Sequence, residues 1–297
     1  MTRAHIEWPT LGLLAACYAA WAFGTAAFSE MWLPLGIATT ALSITLFSSL
    51  QHETIHGHPF RDERLNAALV FPALGLLIPY LRFRDTHLDH HADARLTDPY
   101  DDPETNYLDP ATWNRLSRPA RTALAFNNTL FGRIVIGALV SQIAFMMGDL
   151  RLALRGDRRT IVGWLLHVPA LAPVVLWLWS VAAMPFWAYL CAAYAGLSIV
   201  KIRTFLEHRA HERARERTAI IEDRGPLALL FLNNNLHAVH HMHPKLPWYR
   251  LPARYYPNAE RYRERNGGYV YRSYGEIFRR HLFRAKDPVP HPLWPSS

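Results

Sequence analysis

The chain has 297 residues, of which 51% are hydrophobic, and a formal net charge of +8. Its mean hydropathy is near zero because apolar and basic residues occupy different stretches, which indicates a membrane protein with a basic aqueous face. The two cysteines lie in apolar segments and exclude a disulfide framework, and the basic residues form no nucleic-acid-binding motif, so we expect no nucleic-acid partner.

Two apolar runs, residues 11–28 and 31–50, come first in the chain. Each holds about 18 to 20 residues, enough at about 1.5 Å per residue to cross a hydrocarbon core of about 30 Å. Only Ser29 and Glu30 separate them, so we predict a transmembrane helical hairpin. The first run also resembles a signal peptide, but cleavage would leave half of the hairpin. We therefore predict a retained membrane anchor.

Three histidine motifs each follow an apolar segment of the chain. The first is an H-x-x-x-H pair and the other two are H-x-x-H-H groups. Their members are His52 and His56, then His87, His90 and His91, then His237, His240 and His241. Residues four apart lie on one face of a helix, so two imidazoles of each motif can point at one position. Because eight neutral imidazoles exceed the four ligands of a tetrahedral zinc, the motifs predict two metal ions.

The positions of the motifs constrain the remaining apolar segments. Residues 161–182 and 185–202 form a second predicted transmembrane hairpin. Residues 65–81 and 131–147 are also apolar, but the motifs on either side must emerge on one face of the membrane if they share a metal centre. We therefore predict that these two segments are re-entrant or interfacial. No linker divides the chain, so residues 1–297 are predicted to form a single domain.

Charge predicts the orientation in the membrane. The tips of the two predicted hairpins carry no Lys or Arg, whereas the flanks next to the histidine motifs are rich in Arg. Since positive residues accumulate on the cytoplasmic side, we expect the motifs to face the cytoplasm.

Polar residues near the motifs are candidates for orienting ligand imidazoles. Glu53 follows the first histidine of the first motif, and Asn233 precedes the third motif, where an amide can orient a ligand or cap a turn. An acidic, Pro-rich stretch follows the second motif, and a solvated loop is the alternative interpretation of it. We take Asp98 and Asp101 as its candidates, although the sequence does not choose among its five carboxylates, Asp98, Asp101, Asp102, Glu104 and Asp109.

The order of the three motifs, with P-x-x-P-W-Y-x-L-P at residues 244–252 after the last, resembles the membrane fatty acid desaturase superfamily. The resemblance extends from about Gln51 to Pro252. It implies an all-α integral membrane protein in which two transmembrane hairpins carry a cytoplasmic, histidine-rich di-iron domain. It also implies two iron ions, O₂ as co-substrate, and a ninth ligand at His208. The nearby His211 is the rival for that role, with an exposed polar position as its simpler interpretation.

The resemblance implies an O₂-dependent oxidoreductase that acts on a lipid. Our first interpretation is a fatty acyl desaturase that introduces a double bond into an acyl chain. The alternative is a related hydroxylase or ketolase with a lipid, alkane or terpenoid substrate. Two cysteines cannot ligate an iron–sulfur cluster, so we expect a separate electron donor, a ferredoxin, rubredoxin or cytochrome. The short hairpins resemble bacterial members, which implies a bacterial inner membrane.

Two other classes explain less of the sequence. The H-E-x-x-H pattern from His52 to His56 is also that of zinc proteases, with Glu53 as base, but it leaves the other two motifs unexplained. A metal transporter is the non-enzymatic alternative, and it would need polar residues along its membrane helices. The polar residues of these helices are mostly Ser and Thr, together with one histidine, His167. We interpret His167 as a packing residue more readily than as a functional one.

Overall fold

The chain is built from helices, and a computed structural model describes residues 6–91 and 93–294. The described residues form two compact units. Unit 1 comprises the residues up to Arg84 together with Ser141–Val200, and unit 2 comprises Asp85–Val140 and the residues from Lys201 onward. Each boundary falls inside a helix, and the single domain remains a prediction.

The helices and strands follow one another along the chain in this order. The α-helices are α1 (Trp8–Phe23), α2 (Ser29–Met31), α3 (Leu33–Ile55), α4 (Glu63–Leu69), α5 (Tyr80–His90), α6 (Pro110–Arg115), α7 (Arg118–Asn127), α8 (Leu130–Leu154), α9 (Arg158–Ser180), α10 (Phe186–Thr204), α11 (Pro226–Leu230), α12 (His237–Met242), α13 (Leu251–Tyr255), α14 (Ala259–Arg265) and α15 (Tyr274–His281). A π-helical turn at Gly24–Phe28 joins α1 to α2, and two short strands are β1 (Ile220–Ile221) and β2 (Val270–Tyr271).

Four helical stretches of the described chain are long and apolar enough to cross a membrane, namely Trp8–Met31, Leu33–Ile55, Leu130–Leu154 and Arg158–Ser180. Three of them correspond to predicted spans. The fourth is α8, whose residues 131–147 were expected to be interfacial, whereas α10, expected to span at 185–202, falls outside this set. Length and composition alone do not place a helix across the bilayer, so the interfacial position of α8 and the crossing by α10 stay predictions.

The turn after the first apolar run lies later than predicted. Ser29 and Glu30 belong to α2, and the helical path breaks at Trp32, whose φ of −162° and ψ of 105° are extended. Pro34 then occupies the first turn of α3, a position that needs no backbone donor. Gly36 allows the close approach that follows, because a Cβ there would lie 2.8 Å from the Gly24 carbonyl oxygen.

Residues 70–79 of unit 1 form an irregular segment between α4 and α5, as the prolines in it predict. Its carbonyl groups accept hydrogen bonds from side chains of apolar helices: Leu74 from the Tyr189 hydroxyl at 2.7 Å, and Leu77 from the Gln142 amide at 3.0 Å. The His167 Nε2 lies 2.7 Å from the Leu76 carbonyl oxygen. These side chains satisfy a backbone that the broken helix leaves without partners. His167 therefore has a packing role.

A buried ion pair connects α5 to α8 within unit 1. The Arg82 guanidinium donates to both carboxylate oxygens of Asp149 at 2.9 Å, and the Trp164 indole donates to the same carboxylate at 2.8 Å. We expect Asp149→Leu to lower the free energy of unfolding by about 3 to 5 kcal/mol, because a buried guanidinium loses its bidentate acceptor. Thermal unfolding of the detergent-solubilised protein measures this loss.

The matched control for this ion pair removes both charges. Arg82→Met combined with Asp149→Leu leaves no uncompensated charge, so it is expected to unfold at a higher temperature than Asp149→Leu alone. An unfolding temperature for Asp149→Leu equal to that of the wild type would contradict a stabilising role for the pair.

Unit 2 packs the third histidine motif against an apolar core. Val239 of α12 is fully buried, and the core around it contains Ile220, Leu236, Leu251 and Tyr255. Strand β1 pairs in parallel with β2, with Ile220 opposite Val270 and Ile221 opposite Tyr271. The apolar residues of α12 thus fix the helix, and its histidines lie on the remaining face.

Candidate metal centre

The last turn of α5 carries the second motif. His87 and His91 are one helical turn apart, and their ring centroids are 4.7 Å from each other. The backbone N–H of His91 still donates to the His87 carbonyl, at 3.2 Å, so the helical geometry extends to the end of the motif. The ring centroid of His90 is 6.0 Å from that of His87, and the His90 Nε2 faces His208 instead.

His208 lies in the segment that follows α10, and backbone hydrogen bonds within this segment fix its position. It forms an antiparallel bridge with Thr218, and the N–H of Arg209 donates to the Arg217 carbonyl at 2.8 Å. The Thr218 hydroxyl lies 3.3 Å from the His208 Nδ1. The ring of His208 is therefore fixed with its Nε2 atom directed at other histidines.

Four imidazoles of unit 2 form a group that we call the second cluster: His90, His208, His237 and His241. One nitrogen of each lies within 4.8 Å of those of the others. The His208 Nε2 is 2.9 Å from the His90 Nε2 and 3.1 Å from the His237 Nε2, and the His241 Nε2 is 3.2 Å from the His237 Nε2. Since all these contacts join Nε2 atoms, the rings converge on one position.

Three further imidazoles of unit 2 form what we call the first cluster: His87, His91 and His240. The His91 Nε2 lies 3.0 Å from the His87 Nε2 and 3.2 Å from the His240 Nε2. The two clusters are adjacent, because the rings of His91 and His241 stack with centroids 4.3 Å apart. Unit 2 thus holds two neighbouring groups of converging imidazoles.

The first motif belongs to unit 1. His52 lies near the end of α3, and His56 is the residue that follows the helix. Their ring centroids are 5.0 Å apart, as expected for residues separated by one turn. Glu53 is buried beside His52, and its role in orienting a ligand stays a prediction.

Among the described residues of the acidic stretch, two carboxylates contact the clusters, and they are not the two chosen from the sequence. Asp102 lies 2.7 Å from the His90 Nδ1, and Glu104 lies 3.0 Å from the His87 Nδ1. Asp98 instead accepts the backbone N–H groups of Tyr100 and Asp101, and Asp101 is exposed. The prediction is corrected for a physical reason: the tight turn directs Asp102 inward, where the Thr97 N–H donates to it at 2.8 Å.

The amide beside the third motif is Asn234 and not Asn233. The Asn234 Oδ1 lies 3.1 Å from the His237 Nδ1, and its Nδ2 donates to Glu207 at 3.3 Å. Asn233 has a positive φ of 56°, and its amide donates to the Trp248 carbonyl at 3.1 Å, so it stabilises the turn. Glu207 was not among the residues predicted to lie beside the ligands. Its position directly before His208 could have indicated that role.

His211, the rival of His208, lies outside both clusters. Its Nε2 is 3.5 Å from Glu216, and about a third of its side chain is exposed, 35%. This location agrees with the interpretation of His211 as a surface residue.

A family model described as fatty acid desaturase matches residues 30–273, a range that includes all three motifs and His208. The chain belongs to the fatty acid desaturase family. This membership confirms the resemblance drawn from the motifs. The family is one of O₂-dependent di-iron oxidoreductases, so the protein is an oxidoreductase of this superfamily with membrane helices and histidine clusters that could bind metal.

Two relatives of this desaturase-family chain are described as beta-carotene ketolases, both from Paracoccus. The protein of strain N81106 / MBIC 01143 is 27% identical over 259 residues, which cover 82% of this chain and 88% of the relative. The protein of strain PC1 is 27% identical over 252 residues, which cover 81% of this chain and 86% of the relative.

The donor set of this desaturase-family protein suits metal cations. Because carboxylates only accept, His90 and His87 donate their Nδ1 protons to Asp102 and Glu104, and each keeps a lone pair on Nε2. His237 does the same through the Asn234 oxygen. Lone pairs on neighbouring Nε2 atoms only about 3 Å apart repel one another unless a cation lies between them. The described histidines therefore fit metal ions of the class that imidazole binds.

Burial and neighbouring charges shift the pKa values of the second-cluster histidines in different directions. Burial, reinforced by the adjacent imidazoles, holds the pKa values of His208 and His237 well below the usual range, so both are neutral as metal binding requires. Burial also opposes charge on His90, but Glu104 and Asp102 outweigh it and raise the pKa of His90 to about 9. The carboxylates thus create a negative potential at this imidazole, which favours a proton or a metal ion.

Burial would raise the pKa of the Glu104 carboxyl, yet His90 and His87 outweigh it and lower that pKa. Glu104 therefore stays ionised. One of its oxygens contacts His87 of the first cluster, and the other lies 4.0 Å from the His90 Nε2 of the second cluster. A single carboxylate thus stabilises positive charge at both clusters.

Proposed function

We propose that this protein is a membrane-bound di-iron oxygenase that converts a ring methylene group of a carotenoid to a ketone. The observation that supports the di-iron part is the convergence of Nε2 atoms in two adjacent imidazole clusters. The ketolase part is supported by the two relatives, which are described as beta-carotene ketolases and match about four-fifths of the chain.

In this proposal nine histidines bind two irons. They are His52, His56, His87, His90, His91, His208, His237, His240 and His241. When bound, the irons supply O₂ activation and an oxidant able to attack an unactivated C–H bond. The residues Asp102, Glu104 and Asn234 hold the Nδ1 protons of three ligands, which fixes the tautomer that presents a lone pair to the metal.

The substrate is expected to reach the protein from the bilayer. A carotenoid is a long apolar molecule that dissolves in lipid, and the helices long enough to cross a membrane carry an apolar surface. Fatty acyl desaturation, our first interpretation, is the second candidate, and the family match is what favours it. Both reactions remove hydrogen from an apolar chain or ring, so one product assay can separate them.

The proposal includes an external electron donor, a ferredoxin, rubredoxin or cytochrome. It places the histidine clusters on the cytoplasmic face of a bacterial inner membrane. Unit 2 exposes basic side chains beyond His208, with Arg213 at 65% and Arg215 at 54% exposure. Such a surface would favour an acidic donor protein.

The deciding experiment expresses the protein in a host that makes beta-carotene, with His240→Ala as the inactive control. Iron per chain is counted, and carotenoids and fatty acids are extracted for mass spectrometry. We expect two irons per chain and a carotenoid that has gained one oxygen and lost two hydrogens on a ring. An acyl chain that has lost two hydrogens would support the desaturase instead. Zinc in place of iron, or an equal product yield from His240→Ala, would refute the di-iron proposal.

A further inference from the structure

The segment that follows α15 lies beyond residue 273, where the family match ends. We call residues 284–291 the clasp. Its backbone pairs with the acidic stretch after the second motif: the Leu108 N–H donates to the Val289 carbonyl at 3.0 Å, and the His291 N–H donates to the Leu108 carbonyl at 2.8 Å. The clasp is therefore attached to the stretch that contains Asp102 and Glu104.

Lys286 connects the clasp to a ligand of the second cluster. Its ammonium donates to the backbone carbonyl of His208 at 2.7 Å, and its side chain is only 4% exposed. The backbone N–H of Lys286 donates to the Asn128 carbonyl at 3.3 Å, which fixes the start of the side chain. A buried ammonium is costly to desolvate unless it is well paired, so its direction toward the His208 carbonyl is strongly determined.

Asp287 acts through Tyr107 on Ala210, which lies two positions after His208. The Tyr107 hydroxyl donates to Asp287 and accepts the backbone N–H of Ala210 at 2.9 Å. Asp287 also lies 3.8 Å from the Lys286 ammonium, which balances its charge. The carbonyl of His208 is therefore fixed directly by Lys286, and the N–H of Ala210 is fixed by Tyr107, whose hydroxyl donates to Asp287 of the clasp.

His291 contacts the turn that contains the carboxylate next to His90. Its Nε2 lies 3.3 Å from the Thr97 hydroxyl. The N–H of Thr97 donates to Asp102 at 2.8 Å, and Asp102 lies 2.7 Å from the His90 Nδ1. Through this chain of contacts the clasp supports the carboxylate that orients His90.

We propose that the clasp positions two histidines of the second cluster, with Lys286 as the positioning residue for His208 and His291 as the support for the turn that orients His90. This inference rests on the proposed di-iron centre. Lys286 touches no described Nε2 atom, so it acts through the backbone of His208 and not on the metal or the substrate.

The test compares Lys286→Met with Arg284→Met in the full-length protein. Both changes remove one positive charge from the clasp, but Arg284 is exposed, whereas Lys286 is buried against His208. Metal-depleted protein in micelles is titrated with Co²⁺, whose absorption bands report the ligand geometry, and iron per chain is counted in protein purified from cells. Thermal unfolding is recorded for each variant.

We expect the Co²⁺ titration to show two binding phases in the wild type and in Arg284→Met. In Lys286→Met one phase is expected to weaken by about 10- to 100-fold, the usual effect of losing a group that orients a metal ligand, while the other phase is unchanged. The iron content should fall by about half in the same variant. This loss of one phase distinguishes positioning of His208 from general support of the fold.

Two results would overturn the inference. One is Lys286→Met with both phases unchanged, and the other is an equal weakening of both phases together with a lower unfolding temperature, which is what a purely structural role predicts. A wild-type protein that binds neither Co²⁺ nor iron would instead refute the proposed di-iron centre, so the two failures can be told apart.

Discussion

Replacing His208 with alanine is expected to abolish substrate oxidation and to remove about half of the bound iron. The Nε2 of His208 lies within 3.1 Å of two other ligand nitrogens, so its loss leaves the second cluster with three imidazoles. Losing a ligand is more severe than losing a residue that orients one, so we expect a decrease in activity of more than about 100-fold. Product yield and iron per chain measure the two effects.

The control for this prediction is His211→Ala, three residues further along the chain. Its side chain contacts Glu216 and lies outside both clusters, so iron content and activity should remain at the wild-type level. The opposite outcome, a functional His208→Ala and an inactive His211→Ala, would move the ninth ligand to His211 and contradict the geometry of the second cluster.

Asp102→Asn is expected to weaken metal binding by about 10- to 100-fold with little effect on folding. The carboxylate accepts the Nδ1 proton of His90 at 2.7 Å, whereas the amide of an asparagine can present an N–H to that atom. The imidazole would then carry its proton on Nε2, the atom that faces His208 at 2.9 Å. The wrong tautomer therefore blocks the metal. Titration of metal-depleted protein with Co²⁺ measures the affinity.

Asp101→Asn is the matched control, because it makes the same chemical change at the adjacent, exposed residue. We expect its metal affinity to equal that of the wild type. If Asp101→Asn were the more damaging of the two substitutions, the assignment of Asp102 as the orienting carboxylate would be wrong.

The family and the pairing of histidines within each motif could be inferred from the sequence because helical spacing is a local property. Residues four apart share a helix face. In the structure His87 and His91 belong to the same cluster, and so do His237 and His241. The middle histidine of each motif behaves differently: His90 joins the second cluster and His240 the first. That exchange depends on the contact between α5 and α12, which no local pattern encodes.

The groups that orient the ligands were harder to predict for a related reason. Asp101 and Asp102 are adjacent residues of the same type. Only the path of the folded backbone decides that Asp102 is the one buried beside His90. Asn233 and Asn234 are likewise adjacent, and the positive φ of Asn233 directs its amide toward Trp248. Burial of one residue of such a pair is a property of the tertiary fold.

The membrane segments show what composition can and cannot predict. Apolar runs located three of the four helices that are long enough to cross a bilayer, because chain length and hydropathy set that property directly. The break at Trp32 lies beyond the expected turn because the helical path continues through the π-helical turn at Gly24–Phe28 and through Glu30. Helix continuation of this kind depends on packing, such as the contact that Gly36 allows with Gly24.

The second cluster has a consequence for biosynthesis. It consists of His90, His208, His237 and His241, and the clasp adds Lys286, so the contributing residues span almost two hundred positions of the chain. The apolar helices can enter the membrane while the ribosome is still translating. Contacts between such distant residues form only after the later residue has emerged, and they form slowly. In the proposed di-iron protein, iron insertion would therefore be a post-translational step, and a nascent chain that ends before Lys286 is expected to reach the membrane without its full metal complement.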